Sequence, residues 1–338
     1  MKISQPHFFS EIGKRVSQED SVYPANPSPD DKLFMVCDGM GGYEHGEIAS
    51  SVVCNSIASF FKSTKKEEFS FQKFQRSLAF AYDELDKKDE ESEEKGKMGT
   101  TLTFLYLAED KAYIAHVGDS RVYHIRTAEG QSYIVHKTFD HSLVNELLRD
   151  GIITEEEAAG HPNKNIITRS IQPTPAKRTD ADLYISEDVL PGDYFFMCSD
   201  GVLESVSDDV LVEILSEDLS DADKLEKIKD LCKSGSRDNN SAYLVHVEEV
   251  SEKNNDMQDS CDVQNSEPQS KTPIELKLKN TPVSNKSKNS KIVKKKVWGL
   301  WKYIIPLIIL LAIVSFLLYK FGYIQEVIEH IREIKLGK

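Results

Sequence analysis

Four apolar runs, each short enough to be a strand, meet an aspartate at one end. LFMVC (33–37) is followed by Asp38-Gly39, AYIAHV (112–117) by Gly118 and then Asp119-Ser120, and YFFMCS (194–199) by Asp200-Gly201, while Asp238-Asn239 stands just before AYLVHV (242–247). Runs of about five or six residues rich in Phe, Val and Tyr, bounded by turn residues, predict strands buried on both faces. Any one Asp-Gly or Asp-Asn is ordinary turn chemistry. Strands gathered in one core, however, bring their ends to one rim, and four carboxylates at one rim form a candidate site.

Two further runs, TLTFLYL (101–107) and RVYHIRT (121–127), also read as strands, and helical periodicity marks Gly46–Lys62, Phe71–Lys88, Ser142–Arg149, Asp208–Glu217 and Ala222–Lys233. Several strands follow one another directly, which favours antiparallel sheets with packed helices, an α+β chain, over a strict βαβ repeat. No internal repeat is visible.

A further acidic pair, Glu19-Asp20, follows Arg15 near the N-terminus. Clustered carboxylates repel one another and hold protons unless a cation compensates, so such a rim implies bound metal. An oxygen-only donor set without His or Cys at ligand spacing favours hard ions, Mg²⁺ or Mn²⁺, over zinc. Two such ions, typically about 3.5–4 Å apart, share a hydroxide and clamp a phosphate during in-line displacement, and Arg15 is the natural guanidinium for the phosphate oxygens. Gly39-Met40-Gly41-Gly42 follows a strand and precedes a helix, but the third glycine of a GxGxxG loop would fall at Glu44 and no Walker-type Lys-Ser/Thr follows. These glycines read instead as letting a main-chain carbonyl approach a metal.

Charge divides the chain. Of 338 residues, 42 are basic and 56 acidic, for a net charge of −14, but residues 1–250 hold 27 basic and 47 acidic residues whereas 251–338 hold 15 and 9. The acidic part argues against a nucleic-acid partner. Cys37, Cys54, Cys198, Cys232 and Cys261 are odd in number and far apart, which reads as free thiols in a reducing compartment, not as disulfides or a zinc site. Residues 251–297 form a polar linker, lysine-rich in its second half, whose reach is about 35–40 Å. The 17 residues Tyr303–Tyr319 carry no charge. With flanking aromatics, 298–323 reads as a transmembrane helix rather than a buried core helix, and 324–338 as a short amphipathic tail. Lys286, Lys288, Lys291, Lys294, Lys295, Lys296 and Lys302 precede the run with no acid among them, which places residues 1–302 in the cytoplasm by the positive-inside rule. The first 15 residues contain no signal-peptide apolar region.

VCDGMGG (36–42) with GEIAS (46–50), MGTTL (98–102), HVGDSRVY (116–123), DHSLVNELLRDGIITEEEA (140–158) with HPNKNIITRSI (161–171), CSDGV (198–202) and SRDNNSAYLV (236–245) resemble, in order, the motifs of the bacterial PPM (PP2C-type) metal-dependent serine/threonine protein phosphatases. The resemblance spans about residues 5–248 and implies a catalytic domain over 1–250 with a four-layer αββα sandwich, two antiparallel sheets flanked by helices. It implies that Asp38 bridges two catalytic metals, Mn²⁺ or Mg²⁺, and that Gly39 offers its main-chain oxygen. Asp200 and Asp238 match ligands of one metal, Glu19 and Asp20 match acids that act through water, and Asp119 matches a ligand of a third metal. Arg15 matches the phosphate-binding arginine, and 140–171 the flap over the site.

Three positions depart from the family pattern. Met40 and Tyr43 stand where animal and many bacterial members, respectively, carry a histidine; nearby His45 reads as an exposed loop histidine, which leaves His141, His161 or a metal-bound water to supply the leaving-group proton. Arg237 replaces the first aspartate of the common Asp-Asp-Asn. The expected activity is hydrolysis of phosphoserine and phosphothreonine in proteins without a phosphoenzyme, opposite a cognate kinase and at a membrane. The alternatives are a catalytically silent phosphatase-like binding module and a phosphatase of small phosphorylated metabolites.

Overall fold

The computed structural model describes residues 1–40, 45–163, 166–173 and 178–251. The linker 251–297 beyond Ser251, the apolar run 298–323, the tail 324–338, Cys261 and Tyr43 lie outside the described residues. Among the described residues no helix is long and apolar enough to cross a membrane.

Thirteen strands are described: β1 Lys2–Ile3, β2 His7–Glu11, β3 Ser21–Tyr23, β4 Leu33–Cys37, β5 Gly39–Met40, β6 Gly99–Thr100, β7 Leu102–Leu107, β8 Ala112–Val117, β9 Arg121–Ala128, β10 Gln131–Lys137, β11 Asp182–Ser186, β12 Tyr194–Cys198 and β13 Asn240–Glu249. The helices are α1 His45–Ser63, α2 Phe71–Glu91, α3 Leu143–Arg149, α4 Glu155–Ala159, α5 Asp200–Leu203, α6 Asp208–Ser216 and α7 Asp221–Gly235. One large sheet has the order β1-β13-β12-β9-β10, with β2 also paired to β13; the second has the order β11-β8-β7-β4-β3, and β5 and β6 form a separate two-stranded ribbon. Every pairing is antiparallel.

Alternation along the strands builds the layers. In β4, Leu33, Met35 and Cys37 face the helix pair α1 and α2, packing with Val53, Ile57, Phe74, Leu78 and Leu85. Its Phe34 and Val36 face the opposite way, onto Phe195, Met197, Tyr243 and Val245 of the other sheet. In β12 the pattern is mirrored: Tyr194, Phe196 and Cys198 pack on Leu211, Ile214, Leu225 and Ile228 of α6 and α7. With side chains alternating faces at period two, each strand serves two cores, so its run carries no polar position. The result is the expected sandwich of two antiparallel sheets with helices outside both. Ser70, Ser207 and Ser220 start α2, α6 and α7 by accepting the N–H of the residue three further on.

Strands β1, β2, β3, β5, β6, β10 and β11 and the short helices α4 and α5 were not anticipated, whereas β4 and β8 match their predicted bounds. Cys37, Cys54, Cys198 and Cys232 are free, as expected, and all four are buried.

Candidate active site

The four strand-end aspartates meet at one edge of the sandwich. Asp38 ends β4 in one sheet, Asp200 follows β12 in the other, Asp238 precedes β13, and Asp119 lies in the loop from β8 to β9, where the chain passes between the sheets. Three of them border a cavity of about 540 Å³ lined by Arg15, Glu19, Asp38, Gly39, Asp200 and Asp238, with Lys14, Val16, Met40, Ile167 and Asn239 among its other walls. Asp20 and Asp119 sit behind this lining, close enough for their charges to act on Asp38.

Main-chain bonds aim Asp38. Its N–H donates to Thr101 Oγ1 (2.9 Å), and its carbonyl accepts from Thr100 Oγ1 (2.9 Å) and Thr101 N–H (2.8 Å). Gly39 N–H donates to the Glu19 carbonyl at 3.1 Å. A side chain at Gly39 would put its Cβ 2.2 Å from the Gly46 carbonyl oxygen and 2.6 Å from that of Glu19, so three chain segments close on each other there only because Gly39 has none.

Asn239, which the sequence offered only as a turn residue, ties the N-terminal loop to this edge. Its Oδ1 accepts from Glu19 N–H (2.8 Å), and its Nδ2 donates to the carbonyls of Ile12 (2.8 Å) and Ser17 (2.9 Å). The loop so held carries Arg15, whose Nη2 pairs with Asp238 Oδ2 at 2.5 Å. Ser199 is the other unforeseen partner: its hydroxyl donates to Asp20 Oδ2 (2.9 Å) and accepts from Ser241 N–H (3.0 Å).

Electrostatically the edge is unbalanced. Burial, reinforced by Asp20, Asp200 and Asp119, pushes Asp38 well above the usual carboxylate range. Burial also raises Asp20 to about 7 and Asp119 to about 7, with Asp200 adding to both shifts. Asp200 is raised by its own burial and by Asp238. Asp20 Oδ1 and Asp119 Oδ1 are buried without a hydrogen-bond partner. Buried carboxylates in this state cost free energy unless a cation joins them. An oxygen-rich, anionic hole with unpartnered oxygens therefore fits hard divalent cations.

No histidine lines the cavity among the described residues. His141 is buried and tied through Nδ1 to Gly118 N–H (3.1 Å) and through Nε2 to Asp182 Oδ2 (3.1 Å). His161 Nδ1 accepts from Asn163 N–H (3.2 Å), and His45 is within 4.0 Å of Glu94. The two flap histidines considered as proton donors are thus directed elsewhere, and Met40, which does line the cavity, has no proton to give.

Residues 10–244 match the family model described as Protein phosphatase 2C. A protein phosphatase 2C-type protein of Streptococcus pyogenes serotype M6 is 36% identical over 256 residues, covering 73% of this chain and 98% of that one. The fold is similar to that of the Mycobacterium tuberculosis serine/threonine phosphatase PstP/Ppp, with a TM-score of 0.64 and 28% identity, covering 74% of this chain and all of that one. It is also similar to the catalytic domain of the serine threonine protein phosphatase PstP in complex with two manganese ions, with a TM-score of 0.61 and 28% identity, covering 74% and 100% of the two chains. With the match running from the strand before Arg15 to the strand after Asp238, the chain belongs to the protein phosphatase 2C family.

Proposed function

We propose that this serine/threonine protein phosphatase hydrolyses phosphoserine and phosphothreonine in proteins by direct attack of water, with Asp38, Asp200 and Asp238 and the Gly39 carbonyl holding divalent Mn²⁺ or Mg²⁺, Asp119 serving a third ion, and Glu19 and Asp20 acting through water. The observation that carries this reading is the cluster of buried, mutually repelling carboxylates with two unpartnered oxygens. Bound there, the cations supply a water of lowered pKa and neutralise charge on the phosphoryl oxygens.

The protein's own groups supply the positioning. Thr100 and Thr101 hold the Asp38 main chain at the edge of the hole from which its carboxylate reaches the cations. Arg15 uses one nitrogen on Asp238 and keeps other N–H donors for phosphate oxygens, with Asn239 fixing the loop beneath it. A cysteinyl phosphoenzyme is disfavoured: the contact with Cys54 and burial raise the Cys37 thiol, and burial raises Cys198, so neither forms a thiolate near neutral pH. With no histidine among the described lining residues, the leaving serine or threonine oxygen takes its proton from water in the open cavity.

The purified full chain should release phosphate from a phosphothreonine peptide with Mn²⁺ and lose that activity in EDTA. No release with Mn²⁺ or Mg²⁺ would overturn the reading, and a much faster rate on small phosphorylated metabolites would redirect it.

The substrate side is proposed to be phosphoproteins made by a cognate kinase, met at a membrane to which 298–323 anchors the chain with residues 1–302 cytoplasmic. The uncharged run and its lysine-rich approach support this. Recovery of the full chain in the carbonate-washed membrane fraction tests it, and recovery in the supernatant sinks it.

A further inference from the structure

Away from the cavity, His116, His141 and Asp182 place one ligand atom each within 4.8 Å of one another, the spacing of a metal site. The surrounding bonds argue for a different use. Arg169 Nη1 lies 2.8 Å from Asp182 Oδ1 and 3.4 Å from His141 Nε2, so a cation already stands where a metal would. His116 Nε2 is bonded to the Phe139 carbonyl at 2.8 Å. Both nitrogens of His141 are engaged, which fixes its tautomer: Nδ1 accepts from Gly118 N–H, and the proton sits on Nε2 facing Asp182. Burial holds His141 below its usual range. Asp182 is held low too, because the bonds from His141 and Arg169 outweigh its partial burial. A neutral ring therefore donates to an ionised carboxylate.

The chain of bonds ends on Gly118. The ring takes the Gly118 N–H, and the main-chain N–H of His141 takes the Gly118 carbonyl at 2.9 Å. Gly118 has φ +103°, and a Cβ there would lie 2.5 Å from Thr101 Cγ2, so the backbone is pressed against the threonine that also bonds Asp38. On the other side of Asp119, Ser120 Oγ is 2.7 Å from Thr101 Oγ1. Asp119 Oδ1 itself has no partner. Its carboxylate is therefore aimed by its two neighbours. His141 also belongs to the flap: its carbonyl accepts from Thr168 N–H at 2.8 Å, beside the cavity-lining Ile167.

We infer that His141, oriented by Asp182 and Arg169 and stacked on His116 at 4.5 Å, is a positioning residue that sets the direction of the Asp119 carboxylate and couples it to the flap. The inference rests on the reading of Asp119 as a cation ligand. Groups that orient a ligand typically change metal affinity or activity about 10- to 100-fold when removed.

The test uses the full chain, Mn²⁺ titration by calorimetry and phosphopeptide kinetics. His141→Phe keeps the ring stack but not the bonds. It should lower kcat about 10- to 100-fold with KM within about twofold, and weaken one Mn²⁺ site by a similar factor while the others stay unchanged. His141→Asn, whose Oδ1 can take the place of Nδ1, should recover kcat to within about tenfold of wild type. A wild-type isotherm and kcat for His141→Phe would overturn the inference, as would uniform weakening of all Mn²⁺ sites in step with a fall in thermal midpoint. Should His141→Phe fail to fold, Asp182→Asn and Arg169→Gln change only the outer, more exposed end. A selective loss at one Mn²⁺ site in either supports the relay, and unchanged isotherms and kcat in both overturn it. If wild type binds Mn²⁺ but hydrolyses no phosphopeptide, the proposed reaction fails while the isotherms still decide the role of His141.

Discussion

Strand β12 has an aspartate near each end, one buried and one half-buried, and the two live in opposite conditions. Asp193, just before the strand, is fully buried yet accepts from Arg126 Nε and Nη2 (both 2.9 Å), from Leu190 N–H (2.8 Å) and from His124 Nε2 (2.8 Å). Burial alone would raise its pKa, but the bonds from Arg126 and His124 hold it below the usual value. Asp200, just after the strand, is surrounded by other carboxylates and is raised. A buried acid with all its partners is structure, whereas a half-buried acid among acids is a site that a cation completes.

The largest expected effect breaks the comparison at the rim. Asp38→Asn and Asp200→Asn should each lower kcat about 10³-fold or more, since several kcal/mol of charge stabilisation is lost. In EDTA the same variants should unfold at higher urea than wild type, because one repelling charge is gone. A lower midpoint would contradict the repulsion.

Next, Asp193→Asn should cost about 3–5 kcal/mol of stability, leaving Arg126 short of its buried partner, while kcat of the folded protein stays near wild type. Urea unfolding and phosphopeptide kinetics measure the two halves of that statement.

The two ends should also respond oppositely to pH. Asp193 is depressed in the fold, so its stabilisation is present above the unfolded value of about 3.9 and is lost as pH falls through the lower folded value. Asp20 and Asp119 are raised to about 7. The metal-free fold therefore binds more protons than the unfolded chain between about 4 and 7 and loses stability as pH climbs through that window. Urea midpoints in EDTA should fall from pH 5 to pH 8, and Mn²⁺ should flatten the slope. A flat profile without metal would show that the rim is not strained.

The smallest effect sharpens the boundary between the two regions. Ser199→Ala removes a hydroxyl bonded to Asp20 and the acceptor of Ser241 N–H, and should cost about 1–2 kcal/mol in EDTA. A thermal midpoint equal to wild type would mean that water replaces both bonds.

The sequence made legible those parts of the fold in which every side chain is buried. LFMVC and AYIAHV read as strands because each packs on two cores, whereas β10 and β11 are edge strands with Tyr133 and Leu183 half exposed, so their pattern fades into that of a loop. The acids of the site were visible because charge at the end of an apolar run is conspicuous. Asn239, Ser199 and Thr101 were not, since neutral hydrogen-bonding residues at turns look alike until their partners are known. His141 shows the same limit from the other side: proximity in sequence to the flap suggested a proton donor, and only its bonds reveal that it faces Gly118 and Asp182.

Asp38 and Asp200 are rooted in different sheets, and Asp119 lies on the crossing between them. A cation shared by these residues would act as a rivet through the edge of the sandwich, resisting shear of one sheet over the other. Its grip would add to the folding free energy by about 2.7 kcal/mol at a hundredfold excess over Kd, so the resistance of this enzyme to heat should be a gauge of how much metal it carries.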